Sequence, residues 1–211
     1  MLPSAREQPL DAGFSLLEVT GAIFILTIGL LAAALLNSRM VGGGQRSQYM
    51  SLASTLATEK LEDLNRWDID DPQVCVPTGT ADEGSISSNV LQTTTCDSGN
   101  SAGVNYYDDV SISLTNSSGN CGSSTSGCLA ETVSSVSGGS TVYTTTYHSP
   151  DGQINTTAPS ATAPTSSTFH RRWVIEGNSP VAGTRRVTVL VTLLDQSVQP
   201  PVTFQMSLVR P

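Results

Sequence analysis

The chain has 211 residues, a net charge of −8 and only 13% charged residues. An acidic balance of this size argues against a nucleic-acid binder working through a broad basic surface, and no nucleic-acid partner is expected. The length allows one or two domains; solubility must rest largely on Ser, Thr, Asn and Gly, which suits a cell-surface protein better than a cytosolic enzyme.

Residues 1–13, MLPSAREQPLDAG, are too polar and too short to fold and read as a leader. Arg6, Glu7 and Asp11 give this leader a net −1, which leaves −7 on the rest. Next comes GFSLLEVTGAIFILTIGLLAAALL, Gly13 to Leu36, with no charge between Val19 and Ser38. As a helix, Val19 to Leu36 would rise about 27 Å, close to the ~30 Å hydrocarbon core of a bilayer. Glu18 stands at the mouth of this span. An ionised carboxylate costs about 2.5–3.5 kcal/mol at the bilayer centre and less near its edge. Glu18 therefore either sits at headgroup level or has a dedicated partner. A secretory signal peptide is the rival reading, with Ala32 and Ala34 as an A-x-A cleavage site and Leu35 as the new N-terminus. Against it, the apolar run is too long, the front is not basic, and Glu18 interrupts the start.

The segment GFSLLEV, joined directly to an apolar helix, resembles the processing site of type IV pilins and pseudopilins. The resemblance implies that a prepilin peptidase cuts between Gly13 and Phe14 and methylates the Phe14 nitrogen. It also implies that Glu18 is the assembly carboxylate, meeting the α-ammonium of a neighbouring Phe14 and removing two unsatisfied charges from a filament core. The implied location is the bacterial inner membrane, single-pass with the head outside the cytoplasm, and then an extracellular pilus. The leader departs from the family pattern, with Asp11 near the cut and one arginine in all, so the positive-inside signal is weak. Orientation rests on the resemblance.

The predicted elements then follow in order. Residues 14–38 form the membrane-spanning or filament-core helix. Gly42-Gly43-Gly44 each cost a helix about 1 kcal/mol relative to alanine and should weaken or bend it. Tyr49, Leu52, Ala53, Leu56, Ala57, Leu61 and Leu64 then recur at the spacing of one helical face, with Gln48, Ser51, Thr55, Glu59, Glu62 and Asp63 opposite. This amphipathic continuation, residues 39–71, must lay its stripe on something, most simply a sheet, and ends at Asp70-Asp71-Pro72. From Phe14 to about Arg66 an unbroken helix would reach roughly 80 Å.

Residues 72–168 are Ser/Thr/Gly-rich with few large apolar side chains and read as an irregular head region, much of it loop. Two strands are expected there: one where Val110, Ile112 and Leu114 alternate with polar residues, and one at 142–148. The run TTAPSATAPTSST, 156–168, reads as a linker-like loop. In 169–211 strict period-two alternation predicts an antiparallel meander at 169–176, 186–194 and 202–209, receiving the stripe of the amphipathic helix. No C-terminal anchor is expected after it. Cys75, Cys96, Cys121 and Cys128 all lie beyond the span, which favours disulfides. The local pairing is Cys75–Cys96 with Cys121–Cys128, against free buried thiols or zinc; no CxxC pair is present.

No Ser-His-Asp arrangement, phosphate loop or metalloprotease helix is found, so the protein is expected not to be an enzyme, with no cofactor and no metal. His148 reads as a loop residue and His170 as a strand-surface residue. Asp68, Asp70 and Asp71 lack the Gly and distal Glu of an EF-hand loop and read as a solvated helix end rather than a calcium site. Asp108-Asp109 is similarly ambiguous. Arg171, Arg172, Arg185 and Arg186 read as solvated strand ends or partners of nearby acids.

HRRWVIEGN, followed by RRVTVLVTLL and a last strand, resembles the closing strands of PilV-type minor pilins, with type II secretion pseudopilins close behind. The implied fold is α+β and type IV pilin-like: a long N-terminal helix, its first half in the membrane, packed through its second half on a C-terminal antiparallel sheet. The implied function is that of a minor pilin taking part in pilus assembly near the tip. Its partners would be other pilin and minor pilin subunits, the prepilin peptidase, the pilus assembly platform and the inner membrane. A secretion pseudopilin and a pilus-associated adhesin, acting through the Ser/Thr-rich middle, are the alternatives.

Overall fold

A computed structural model describes residues 15–115, 126–137, 139–149, 152–163 and 168–211. The layout is α+β: one long N-terminal helix, α1 (Leu16–Arg66), and strands that are antiparallel throughout. The chain divides into two compact units, Met1–Gln45 and Arg46–Pro211. In the first, α1 is exposed along its whole length. Its best 18-residue window has a mean hydropathy of 2.5 and nothing buried, so it is long and apolar enough to cross a membrane.

The second unit is a helix on a sheet. Among the described residues ten strands follow α1: β1 (Asp82–Gly84), β2 (Leu91–Thr95), β3 (Ser101–Asn105), β4 (Tyr107–Thr115), β5 (Ser126–Ser137), β6 (Ser140–His148), β7 (Ile154–Thr156), β8 (Phe169–Gly177), β9 (Arg185–Leu193) and β10 (Thr203–Arg210). Among the described residues the main sheet runs β10-β9-β8-β4-β5-β6-β7, with β1 pairing on β8, while β2 and β3 form a separate hairpin. The expected meander is present as β8, β9 and β10. On α1, Ala53, Leu56, Ala57, Leu61 and Leu64 are buried, and they share one core with Phe169, Trp173 and Ile175 of β8 and Val187, Val189 and Val191 of β9. The two alanines leave no side chain to hold helix and sheet apart. Tyr49 meets Phe169 edge-on at 6.2 Å.

α1 is helical at every position through Gly42-Gly43-Gly44. It ends at Arg66, the extent expected of the unbroken helix. There the acids turn the chain: the Gln73 N–H donates to Asp71 Oδ1 (2.8 Å) and the Cys75 N–H to the Asp71 carbonyl (2.8 Å), side-chain and backbone bonds that compete with helix. Carbonyls left over at the helix end are taken by arginines of the sheet. Arg210 donates to Leu64 O (3.2 Å) and Trp67 O (3.0 Å), and Arg185 to Ile69 O (2.6 Å) and Val74 O (3.2 Å).

One sequence expectation needs correction: the middle of the chain, expected to be largely loop outside two strands, is more ordered than that among the described residues, and the two expected strands are β4 and β6. This region supplies β1 to β7, and β4 inserts directly beside β8, joining β5, β6 and β7 to the meander in one sheet. Their pairing is carried by backbone ladders and by hydroxyls: Thr132 with Thr145 at 2.9 Å, Thr146 with Thr156 at 3.2 Å, Tyr107 with Ser134 at 2.7 Å. Cross-strand Thr and Ser pairs stabilise a sheet without an apolar alternation in the sequence.

Tyr106 marks the passage from β3 to β4. It is fully buried, donates its N–H to Val90 O (2.9 Å), accepts from the Trp173 N–H (3.1 Å) and shares a 2.8 Å hydroxyl bond with Thr94. Burial pushes its phenol up to about 12, so it stays protonated. Gly84 lies against it with φ +82, and a Cβ there would fall 2.5 Å from Tyr106 Cδ1 and 2.6 Å from the Trp173 carbonyl. Gly84→Ala should therefore cost about 2–5 kcal/mol, adding left-handed strain to overpacking, read by denaturant unfolding. The bridge Cys75–Cys96 closes a separation of 21 residues; replacing both cysteines by serine should cost about 3 kcal/mol in the same assay.

Candidate functional site

Gly13 and Phe14 lie outside the described residues. Helix α1 begins two residues beyond, and Ser15 caps it. The Leu17 N–H donates to Ser15 Oγ (3.2 Å), and the Glu18 and Val19 N–H groups donate to the Ser15 carbonyl (3.0 and 3.2 Å). Glu18 is thus the third residue of the first turn, exposed, and in the Ser-x-x-Glu spacing of a capping box. A carboxylate is favoured there by the positive end of the helix dipole. Behind it the apolar side chains stand open on every side: Phe24 is 67% exposed, Ile25 73% and Leu31 66%. The hydroxyls in the run satisfy themselves, Thr20 donating to Leu17 O (3.0 Å) and Thr27 to Phe24 O (2.8 Å). Nothing polar is left that water would have to serve.

The head carries a second constellation, in which Arg171 and Asp108, named separately from the sequence, meet Lys60 and Glu131, which were not. Arg171, on the apolar face of β8, is fully buried. Its Nε and Nη2 donate to the two oxygens of Asp108 at 2.7 Å each, Nη2 also reaches Glu131, and Nη1 donates to Leu56 O of α1 (3.4 Å). Asp108 stands directly across the β4–β8 ladder in register with Arg171. Lys60 closes the group from the helix, 3.4 Å from Asp108, 3.7 Å from Asp63 and 4.3 Å above the Trp173 ring. Burial pushes the Asp108 carboxyl up, but Arg171 and Lys60 outweigh it and hold the group below its ordinary value. Burial likewise opposes the Arg171 cation, and Asp108 and Glu131 reverse the sign.

A cleft of about 280 Å³ opens beside this network, lined by Glu59, Lys60, Glu131, His148 and Ile154 among others. Burial, and then repulsion from Glu131, push the Glu59 carboxyl above its ordinary value. His148 Nε2 lies 3.2 Å from Glu131. It closes β6 rather than lying in a loop. His170 also differs from expectation. It is buried and bridges Asp109 (2.6 Å) and Asn89 (2.8 Å). The residues share no nucleophile, and the charges are spent on one another.

Of the remaining expected residues, Cys75 and Cys96 form their local disulfide. Cys128 is buried and disulfide-bonded; Cys121 lies outside the described residues. Arg186 pairs with Glu176 through two bonds of 2.7 and 2.6 Å, and Arg172 donates to Asn89 (2.8 Å). Asp68 and Asp71 accept from the backbone of their own turn. Among the described residues no group of three His, Cys, Asp or Glu is placed to hold a metal ion. The signal for the buried network was in the pattern: Arg171 occupies the phase of Phe169, Trp173 and Ile175, and Asp108 the phase of Val110. Comparison with protein-family models, curated proteins and solved structures finds no match to the chain.

Arg171→Met should cost about 3–5 kcal/mol, since it leaves Asp108 buried beside Lys60 alone, and adding Asp108→Leu should recover most of that. The pH dependence has a definite sign. A depressed carboxyl contributes stability that is full above its unfolded value, near 3.8, and is lost as pH falls through the lower folded one. Thermal unfolding between pH 7 and pH 3 should therefore show the parent chain losing stability toward the acid end and Arg171→Met, in which Arg171 no longer offsets the burial of Asp108, losing less over the same range, so that the gap between the two narrows as pH falls.

Proposed function

We propose that the chain is a type IV minor pilin of the PilV kind, a filament subunit stored in the inner membrane and withdrawn from it on assembly. The observation that carries the reading is an apolar helix, uncovered on every side, that starts at Leu16 within GFSLLE and has Glu18 in its first turn. In a bilayer its surface is covered by lipid; in a filament it is covered by sister helices. Cleavage after Gly13 would place the new α-ammonium of Phe14 four residues from Glu18. In the bilayer that pair lies at the membrane edge. In a filament core, where no water reaches, Glu18 of one subunit and the ammonium of the next neutralise one another and set the stagger between subunits. The head remains outside the core and contacts other pilins and the assembly platform.

Three substitutions separate this reading from simpler ones, with sheared surface filaments and the mature N-terminus as readouts. The parent chain should begin at methylated Phe14; a start at Leu35 would mean a signal peptide instead. Gly13→Val should leave the chain uncut. Glu18→Ala and Glu18→Gln should both be cut and inserted yet yield at least tenfold fewer filaments. Glutamine keeps the capping-box geometry but not the charge, so normal filaments from Glu18→Gln would reduce Glu18 to a helix cap. Unchanged fibres with lost protein export in the Glu18→Ala strain would move the chain to the secretion pseudopilins.

A further inference from the structure

Between the lipid-length run and the packed part of the head, α1 crosses a stretch with nothing to hold it helical. Asn37–Gln45 reads NSRMVGGGQ, is helix at every position and exposed at every position. The apolar run has ended at Leu36, and the first buried helix residue is Ala53. A Cβ added at Gly42, Gly43 or Gly44 would meet nothing within 4 Å, so no close contact within the subunit requires glycine there. Each glycine lowers the helical population about fivefold relative to alanine, and three in a row about a hundredfold. An unsupported helix of this length is marginal even with good helix formers. The boundary between the two compact units falls at Gln45, one residue past the last of these glycines.

We infer that Gly42-Gly43-Gly44 is a joint in α1, a segment that opens by local unfolding while the apolar run and the head keep their structure. Its hydrogen bonds are solvent-exposed and unsupported by tertiary packing, the two features that place a segment at the low end of local stability. Opening frees the head to turn without turning the span, a freedom that a rigid rod lacks. The inference goes beyond the filament reading and does not require it.

Hydrogen exchange on the full chain in detergent micelles tests it. Amides of residues 43–48 should exchange at least a hundredfold faster than those of 53–64. Gly43→Ala should slow that exchange about fivefold, and Gly42→Ala, Gly43→Ala and Gly44→Ala together about a hundredfold, with the head's thermal midpoint unchanged. Equal protection of the two stretches in the parent chain would overturn the joint, as would a triple variant that exchanges like the parent. No filament enters the readout, so a chain that forms no fibres can still pass or fail.

Discussion

Along α1 the apolar residues are distributed in two different ways, and the structure follows from that difference. In residues 19–36 they surround the axis, so no single protein face can cover them. In residues 49–64 they form one stripe, closed by β8 and β9. A helix that is apolar all round needs a solvent of hydrocarbon or of other helices; an amphipathic one needs a sheet. The polar stretch between the two belongs to neither, and there the sequence places three glycines.

Beneath the stripe, the Arg171 group shows what burial of charge does in this head. Taking a guanidinium and a carboxylate out of water costs several kcal/mol per ion, and the attraction between them recovers it only when the geometry is good. Here Asp108 meets Arg171 through a planar two-bond fork, an arrangement lysine cannot make. The group therefore contributes position more than stability. Arg171 belongs to β8, Asp108 to β4, Glu131 to β5 and Lys60 to α1, so one cluster fixes three strands and the helix against one another. A slip of the β4–β8 ladder by one residue would turn Asp108 to the outer face and leave the arginine alone in the core.

What was legible in the sequence depended on whether apolar spacing carried the information. The stripe Ala53, Leu56, Ala57, Leu61 and Leu64 and the strands β8 and β9 follow apolar period, and they were read within a residue or two. β5 is not legible in this way because neither face of CLAETVSSV is continuously apolar: Cys128, Ala130, Thr132, Ser134 and Val136 share one, and Leu129, Glu131, Val133 and Ser135 the other; backbone ladders and hydroxyl pairs join it to its neighbours. The end of α1 near Arg66, by contrast, is legible, because the acids before Pro72 carry turn chemistry, and Asp68 and Asp71 accept from the backbone there. Of the two readings of Arg171, a solvated strand end or a partner of nearby acids, the second holds, with Asp108 and Glu131 as the acids, and its phase carries the burial. In strand patterns, an arginine in phase with Trp and Ile is better evidence of a buried counter-ion than of a surface.

The position of β4 also bears on how the middle of the chain can act. As a loop-like insertion, residues 72–168 would be free to carry a binding function and to be removed without harm. With β4 lying between β8 and β5, and Asp108 on it, removing that segment would strip Arg171 of its partner and leave β8 without its β4 neighbour. On β4 and β6 the face opposite the network carries Ser111, Thr145 and Tyr147, out of phase with Asp108 and His148. Ser111 and Tyr147 are out of phase with the network beneath, whereas Thr145 also bonds Thr132 across the sheet. A surface function in this head is therefore separable from the fold by single substitutions in an intact sheet, and not by deletion.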